Sequence, residues 1–218
     1  DITKVRALAD ELVRLPVDLI VVQGEAVLEV KPLSLPLPVV YAYSGDPVAA
    51  GLAESLARPN ANMTGVTYLA VELNGKRLEL LRELAPSVRR VALLANPVYP
   101  GQNSERANAE ATAARMRLDV DHFPARTSDE LDAAFKKMRT DRAQAISLFA
   151  DSFTVQNRAA IVDFALSHRL PLVSSWPVFA DSGALCTYGP RLVDSYRRLA
   201  YYADRVLRGT KPAELETG

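Results

Sequence analysis

Short unbroken apolar runs alternate along this chain with longer stretches where apolar residues recur every three or four positions. The short runs read as buried strands and the longer stretches as helices. Residues 2–15 predict a helix with Val5, Leu8, Leu12 and Leu15 on one face. Residues 18–23 predict a strand ended by Gly24, residues 38–43 a second strand, and residues 64–69 a third. Between the last two, Asp46 or a neighbour is expected to cap a short helix that runs to Leu56 and is stopped by Arg58-Pro59. Residues 72–84 predict a helix with Leu73, Leu80, Leu81 and Leu84 inward. Strands at 90–95, 119–123, 144–150, 170–174 and 184–188 follow, separated by helices at 105–118, from Ser128, and at 155–168. In the helix from Ser128, Leu131, Ala134, Phe135 and Met138 fall at helical spacing. A helix at 192–207 closes at Gly209.

Continuous apolar strands alternating with helices predict an α/β fold with parallel sheets covered on both faces. The 218 residues make one large domain or two lobes of about 100 residues each. Joints marked by Pro, Gly or polar residues lie at 68–72 and 181–184. If the chain crosses at both, residues 1–69 plus 184–218 form a first lobe and 70–183 a second. An apolar fraction of 49% suffices for a core. Lys plus Arg equals Asp plus Glu at 26 each, with the signs interspersed, which points away from a nucleic-acid stripe. With one cysteine, Cys186, no internal disulfide forms; it reads as a small buried residue. No segment approaches the roughly 20 apolar residues that span a bilayer.

In open parallel sheets, ligands sit beyond the carboxyl ends of the strands. That rule selects Gly24 and Glu25; Tyr43, Ser44, Gly45 and Asp46; Thr64 and Gly65; Asn96 and Tyr99; Asp151 and Ser152; Ser174, Ser175 and Trp176; and Tyr188 and Gly189. Asp46 and Asp151 are each either a helix N-cap or a carboxylate for a ligand's ammonium or hydroxyl. Ser44 and Gly45 form a plain turn or offer hydroxyl and N–H groups to a ligand carboxylate. Trp176 and Tyr188 pack in the core or wall a ligand site. Tyr41 and Tyr43 alternate with apolar neighbours, so one is expected in the core and the other toward the ligand.

The set holds no His and no Cys. His122 and His168 lack metal-ligand spacing, and His168 suits a helix C-terminus. No Gly-x-Ser-x-Gly elbow, phosphate loop or dinucleotide fingerprint is present. No catalytic set, metal or cofactor is therefore expected. An enzyme using Asp46 or Asp151 as general base is the weakest alternative.

The order and spacing of several motifs carry a resemblance over nearly the whole chain. They are Ala9-Asp10-Glu11-Leu12-Val13; Ser44-Gly45-Asp46-Pro47-Val48; Ser55-Leu56-Ala57-Arg58-Pro59; and Asn62-Met63-Thr64-Gly65-Val66. Further along come Lys76 with Glu79-Leu80-Leu81, Ala85-Pro86, Ala92-Leu93-Leu94 with Asn96-Pro97, Tyr188-Gly189, Tyr196-Arg197-Arg198 and Lys211-Pro212. The chain resembles the substrate-binding proteins of ABC importers of the tryptophan/tyrosine type.

The resemblance implies two Rossmann-like lobes of the type I periplasmic-binding-protein kind, with a small-molecule solute held in the cleft and passed to an ABC permease. Of the strand-end positions, Ser44, Gly45, Asp46, Thr64, Asn96, Asp151, Ser152, Ser175, Trp176 and Tyr188 are the expected ligand-binding residues, and the resemblance adds support at 151–152, where the family places a polar ligand-facing residue after the strand. An aromatic amino acid or aromatic acid is the expected solute, and a periplasmic or extracytoplasmic location is expected, with a lipid anchor on a leader outside this chain. The family begins with further elements, so the first lobe is expected to be incomplete. Residues 18–23 would then expose a sheet edge that favours self-association. The alternative is an effector-binding domain of a transcription regulator with the same fold.

Overall fold

A computed structural model describes residues 4–60, 62–68, 70–99 and 101–218. Ile2, in the first expected helix, and Leu69, at the first expected crossing, lie outside the described residues. In chain order the elements begin α1 (Val5–Arg14), β1 (Ile20–Gln23), α2 (Ala26–Val30), β2 (Val39–Tyr43), β3 (Ala53–Ser55), β4 (Arg58–Pro59) and β5 (Met63–Thr67). Next come α3 (Ala70–Leu84), β6 (Arg90–Ala95), α4 (Gln102–Met116), β7 (Asp119–Pro124), α5 (Ser128–Thr140) and β8 (Ala145–Leu148). The last are α6 (Ser152–Gln156), α7 (Arg158–Ser167), β9 (Leu172–Ser174), α8 (Val178–Ser182), β10 (Cys186–Thr187) and α9 (Leu192–Leu207).

The chain divides into two compact units. The first takes the chain up to Tyr68 and resumes at Leu192; the second takes what lies between and ends at Arg191. Residues near Ala184, the second expected crossing, lie inside the second unit, because Cys186 and Thr187 pair with Val173 and Ser174.

The first unit is built on a three-stranded parallel sheet in the order β1-β2-β5. Every residue of β2 is buried, as its central place demands. Tyr41 and Tyr43 are two apart, so they share one sheet face, and both sit in the core. Gly65 opposes Tyr41 in the register, and a Cβ there would stand 2.0 Å from the Tyr41 carbonyl oxygen. Only glycine allows that approach. The chain's end lies along β5: Gly218 N–H donates to the Gly65 carbonyl at 3.0 Å, and Thr67 N–H donates to the Gly218 carbonyl at 2.6 Å. Tyr202 on α9 donates to the Glu216 carbonyl at 2.7 Å and holds this segment in place.

Two expectations fail here for local reasons. No helix runs from Asp46 to Leu56. One turn forms, with Ala50 N–H donating to the Asp46 carbonyl at 3.0 Å. Gly51 at φ +66° then turns the chain out of the helix into the β3–β4 hairpin. In α1, the stripe that packs is Val5, Ala9 and Val13, while Leu8, Leu12 and Leu15 are exposed. Val21 of edge strand β1 is exposed as well.

The second unit is a five-stranded parallel sheet, β10-β9-β8-β6-β7. Its core joins Leu78 and Leu81 of α3, Val91, Leu93 and Ala95 of β6, Ala109 and Ala113 of α4, and Val173 of β9. Leu84, expected inward, is exposed at the end of α3. The helix expected at 155–168 is two helices that meet at Asn157, and α8 fills a stretch where no helix was expected.

Candidate functional site

The carboxyl ends of β6, β8, β9 and β10 bring six expected residues to one end of the second unit's sheet: Asn96, Asp151, Ser152, Ser175, Trp176 and Tyr188. Asp151 is the N-cap of α6; its Oδ1 accepts from Thr154 N–H at 3.0 Å and its Oδ2 from Asn96 N–H at 3.4 Å. The Asn96 side-chain oxygen accepts from Val98 N–H at 3.2 Å and shapes the loop after β6. Ser152, the first residue of α6, is exposed. Ser175 is fully buried, and its Oγ has no hydrogen-bond partner among the described residues. Trp176 follows, only 5% exposed, with its backbone N–H donating to Ser174 Oγ at 3.3 Å. Tyr188, by contrast, is 41% exposed. Its N–H donates to the Ser174 carbonyl at 2.9 Å, which ties the ends of β9 and β10 together.

Beneath these loops lies a charged cluster that was not singled out from the sequence. Arg77 on α3 and Glu105 on α4 pair at 3.0 Å with both side chains wholly buried. Glu105 also accepts from Tyr99 Oη at 2.9 Å and from Ala150 N–H at 3.5 Å. Arg77 donates to Asn74 Oδ1 at 3.1 Å and to the Tyr188 carbonyl at 3.4 Å, and Asn74 donates to the Glu105 carbonyl at 2.7 Å. Burial pushes the Glu105 carboxyl up to about 7, against the opposing pull of Arg77. Burial also lowers Arg77, against the pull of Glu105. A sequence signal existed: Asn74, Arg77, Leu78 and Leu81 form one helical stripe, so Arg77 stands where an apolar residue belongs.

In the first unit, the carboxyl end of β2 carries Ser44, Gly45 and Asp46. Ser44 and Gly45 are buried; Asp46 is exposed, and its Oδ1 accepts from Val48 and Ala49 N–H at 2.8 and 3.2 Å. Burial, with the Asp46 carboxylate adding to it, pushes the Tyr43 hydroxyl up to about 12. Thr64 is not at a strand end. It is the second residue of β5, fully buried, and its hydroxyl donates to the Leu215 carbonyl at 2.7 Å. Thr67 and Tyr68 stand at that strand's carboxyl end instead. Gln23, at the end of β1, donates to Tyr68 Oη at 3.1 Å and accepts from Tyr196 Oη of α9 at 3.1 Å. This polar and aromatic trio brings together residues 173 positions apart.

Neither histidine joins a site residue. His122 Nε2 contacts Gln102 Nε2 at 3.1 Å, and His168 closes α7 with Nδ1 2.9 Å from the Phe164 carbonyl. Among the described residues no group of acidic, His or Cys side chains could hold a metal ion, and no helix is long and apolar enough to cross a membrane.

The family of ABC transporter substrate binding proteins matches residues 1–218, and the chain belongs to it. It is a family of binding proteins rather than enzymes; its members are extracytoplasmic, take small-molecule ligands and work with an ABC permease. A tyrosine-binding protein of Clostridioides difficile is 25% identical over 168 residues, which is 77% of this chain. The chain spans about half of that relative, 46% of its length. A solved structure from Streptococcus pneumonia, an ABC domain in complex with L-Trp, has a TM-score of 0.89 at 24% identity, covering 100% of this chain and 73% of that one. A LacI family transcriptional regulator from Bifidobacterium animalis has a TM-score of 0.66 at 13% identity, covering 100% of this chain and 85% of that one. These likenesses give the type I periplasmic-binding-protein-like fold.

Proposed function

We propose that this chain captures an aromatic amino acid or a related aromatic acid outside the cytoplasm and delivers it to an ABC permease, its protein held at the membrane by a lipid anchor. One observation carries the ligand assignment: Ser175 Oγ, fully buried and without a partner among the described residues, sits beside Trp176 at the carboxyl end of β9. A buried hydroxyl of this kind calls for a partner that a ligand can supply. The indole of the next residue, Trp176, would offer a ring-shaped ligand a stacking surface, worth about 0.5–1.5 kcal/mol beyond burial. Asn96, Asp151 and Tyr188 come from neighbouring strand ends and supply the few orienting polar groups such a site needs. The Clostridioides difficile relative binds tyrosine by its name, and the Streptococcus pneumonia structure holds L-Trp, which supports an aromatic solute.

Calorimetric titration of Ser175→Ala against the native chain tests this. Affinity for L-tyrosine or L-tryptophan should fall by about 0.5–1.5 kcal/mol, the contribution of one neutral hydrogen bond. Thermal stability should be unchanged, because the hydroxyl has no partner among the described residues to lose. Unchanged affinity would remove Ser175 from the site.

We infer also that this chain self-associates through β1. Among the described residues β1 pairs only with β2, and Val21 on it is 56% exposed. Such an edge is a template for another strand. Light scattering should give a mass above one chain that rises with concentration. A single-chain mass over a wide concentration range would contradict it.

A further inference from the structure

We propose that Arg77 and Glu105 are positioning residues for ligand capture: their buried pair holds the loops after β6, β8 and β10 in the arrangement that binds. The proposal rests on the reading that solute binds at these strand ends.

Each loop is tied to the pair by a separate bond. The loop after β6 is held through Tyr99 Oη on Glu105 Oε1 at 2.9 Å. The turn after β8 is held through Ala150 N–H on the same oxygen at 3.5 Å, one residue before Asp151. The segment after β10 is held through the Tyr188 carbonyl on Arg77 Nη1 at 3.4 Å. The other Glu105 oxygen and Arg77 Nη2 close the circuit at 3.0 Å, and Asn74 braces both partners.

Packing alone does not explain this cluster. Two charges are withdrawn from water at a cost that their attraction only partly offsets, and an apolar pair of similar volume would often be as stable. What an apolar pair cannot do is bond three loops from three strands at once. Arginine suits the task because its planar fork reaches Glu105, Asn74 and the Tyr188 carbonyl together; a lysine ammonium is a point charge.

Charge on the pair is open to pH. Arg77 from α3, Tyr99 from the loop after β6 and Asp151 from the turn after β8 are the charged or titratable groups that face Glu105. Protonating Glu105 removes the charge that Arg77 and Tyr99 hold. Ligand affinity should therefore fall as pH drops below about 7, the range to which burial has moved this carboxyl.

Hydrogen exchange followed by mass spectrometry tests the positioning without any ligand. The variants are Arg77→Met, Arg77→Lys and the milder Tyr99→Phe, which removes one hydroxyl and serves if Arg77→Met does not fold. In Arg77→Met, peptides covering 96–99, 149–156 and 187–191 should exchange about tenfold to a hundredfold faster, matching the loss of a charge-assisted bond. Peptides of β6 should stay protected. Arg77→Lys should restore protection at 149–156 and not at 187–191. Tyr99→Phe should loosen 96–99 first.

Titration with L-tyrosine and L-tryptophan at pH 6 and pH 8 supplies the functional readout. The native chain should bind more tightly at pH 8, and Glu105→Gln should bind more weakly than native at pH 8 with no pH dependence. Native exchange in all three loops of Arg77→Met and Tyr99→Phe would overturn the proposal. So would loosened loops with native affinity and a native pH profile. A native chain that binds neither amino acid sinks the aromatic assignment alone, and the exchange data then decide whether the pair holds the loops.

Discussion

The backbone at Gly189 passes so close to Ser175 that a Cβ on Gly189 would stand 2.2 Å from the Ser175 carbonyl oxygen and 2.9 Å from its Cα. The neighbouring bond from Tyr188 N–H to the Ser174 carbonyl, at 2.9 Å, draws the two strand ends together. Residues that carry the proposed ligand contacts are thus in backbone contact across β9 and β10.

Gly189→Ala should force these ends apart, since the clash is with backbone and no flexible side chain can yield. The expected loss of stability is about 1–3 kcal/mol, typical of an overpacked interior. Affinity should fall with it, because Ser175 and Tyr188 move. Thermal melts and calorimetry on the same sample check both. Native stability and affinity in the variant would mean that the loops relax freely.

Asp151→Ala removes the acceptor for Thr154 N–H at 3.0 Å and for Asn96 N–H at 3.4 Å. The capping loss alone should lower stability by about 0.5–2 kcal/mol. If the carboxylate also meets a ligand ammonium, affinity falls by a further 1.5–3 kcal/mol, roughly the contribution of a charged hydrogen bond. Asp151→Asn keeps an acceptor for the cap and drops the charge. It should melt near the native temperature, with weakened binding of an amino acid but not of the matching acid that lacks the amine.

Glu105 makes stability depend on pH in a definite direction. Its folded carboxyl titrates near 7, above the ordinary 4.5, so the folded chain keeps this proton to higher pH than the unfolded chain does. Stability from this group is fully present below about 4.5 and is lost as pH rises through about 7. Glu105→Gln cannot titrate. Melting temperatures of native and variant should therefore diverge between pH 5 and pH 8, with the native chain losing ground to the variant as pH rises. A constant difference across that range would show that the carboxyl titrates at its ordinary value.

Much of the fold was legible because strand and helix periods are strong where both sides of an element are buried. Residues 90–95 and 192–207 match β6 and α9 end to end. The legible fraction drops where a short turn competes with a helix. The Asp46 side chain and backbone favour one helical turn, and Gly51 at φ +66° cuts it off before a second can form. Leu8 and Leu12 show that apolar spacing marks a helix without marking which stripe is covered; Ala9 faces the core between them. The site was legible only in part. Strand ends point to Asn96, Asp151, Ser175, Trp176 and Tyr188, since their place follows from topology. Thr64 was misplaced because β5 starts one residue before it. Arg77 with Glu105 and Gln23 with Tyr196 join residues 28 and 173 positions apart, and no local pattern pairs them.

Trp176 is the only tryptophan in the chain, so its emission reports on the proposed site alone. Titration with L-tyrosine, L-tryptophan, an aromatic acid, a branched amino acid and a sugar tests whether the site takes an aromatic solute, read by calorimetry and, for ligands that do not themselves emit, by Trp176 fluorescence. The aromatic compounds should bind saturably with a dissociation constant on the order of micromolar, about −8 kcal/mol, and change Trp176 emission. Saturable binding of the sugar, with no response to any aromatic compound, would contradict it.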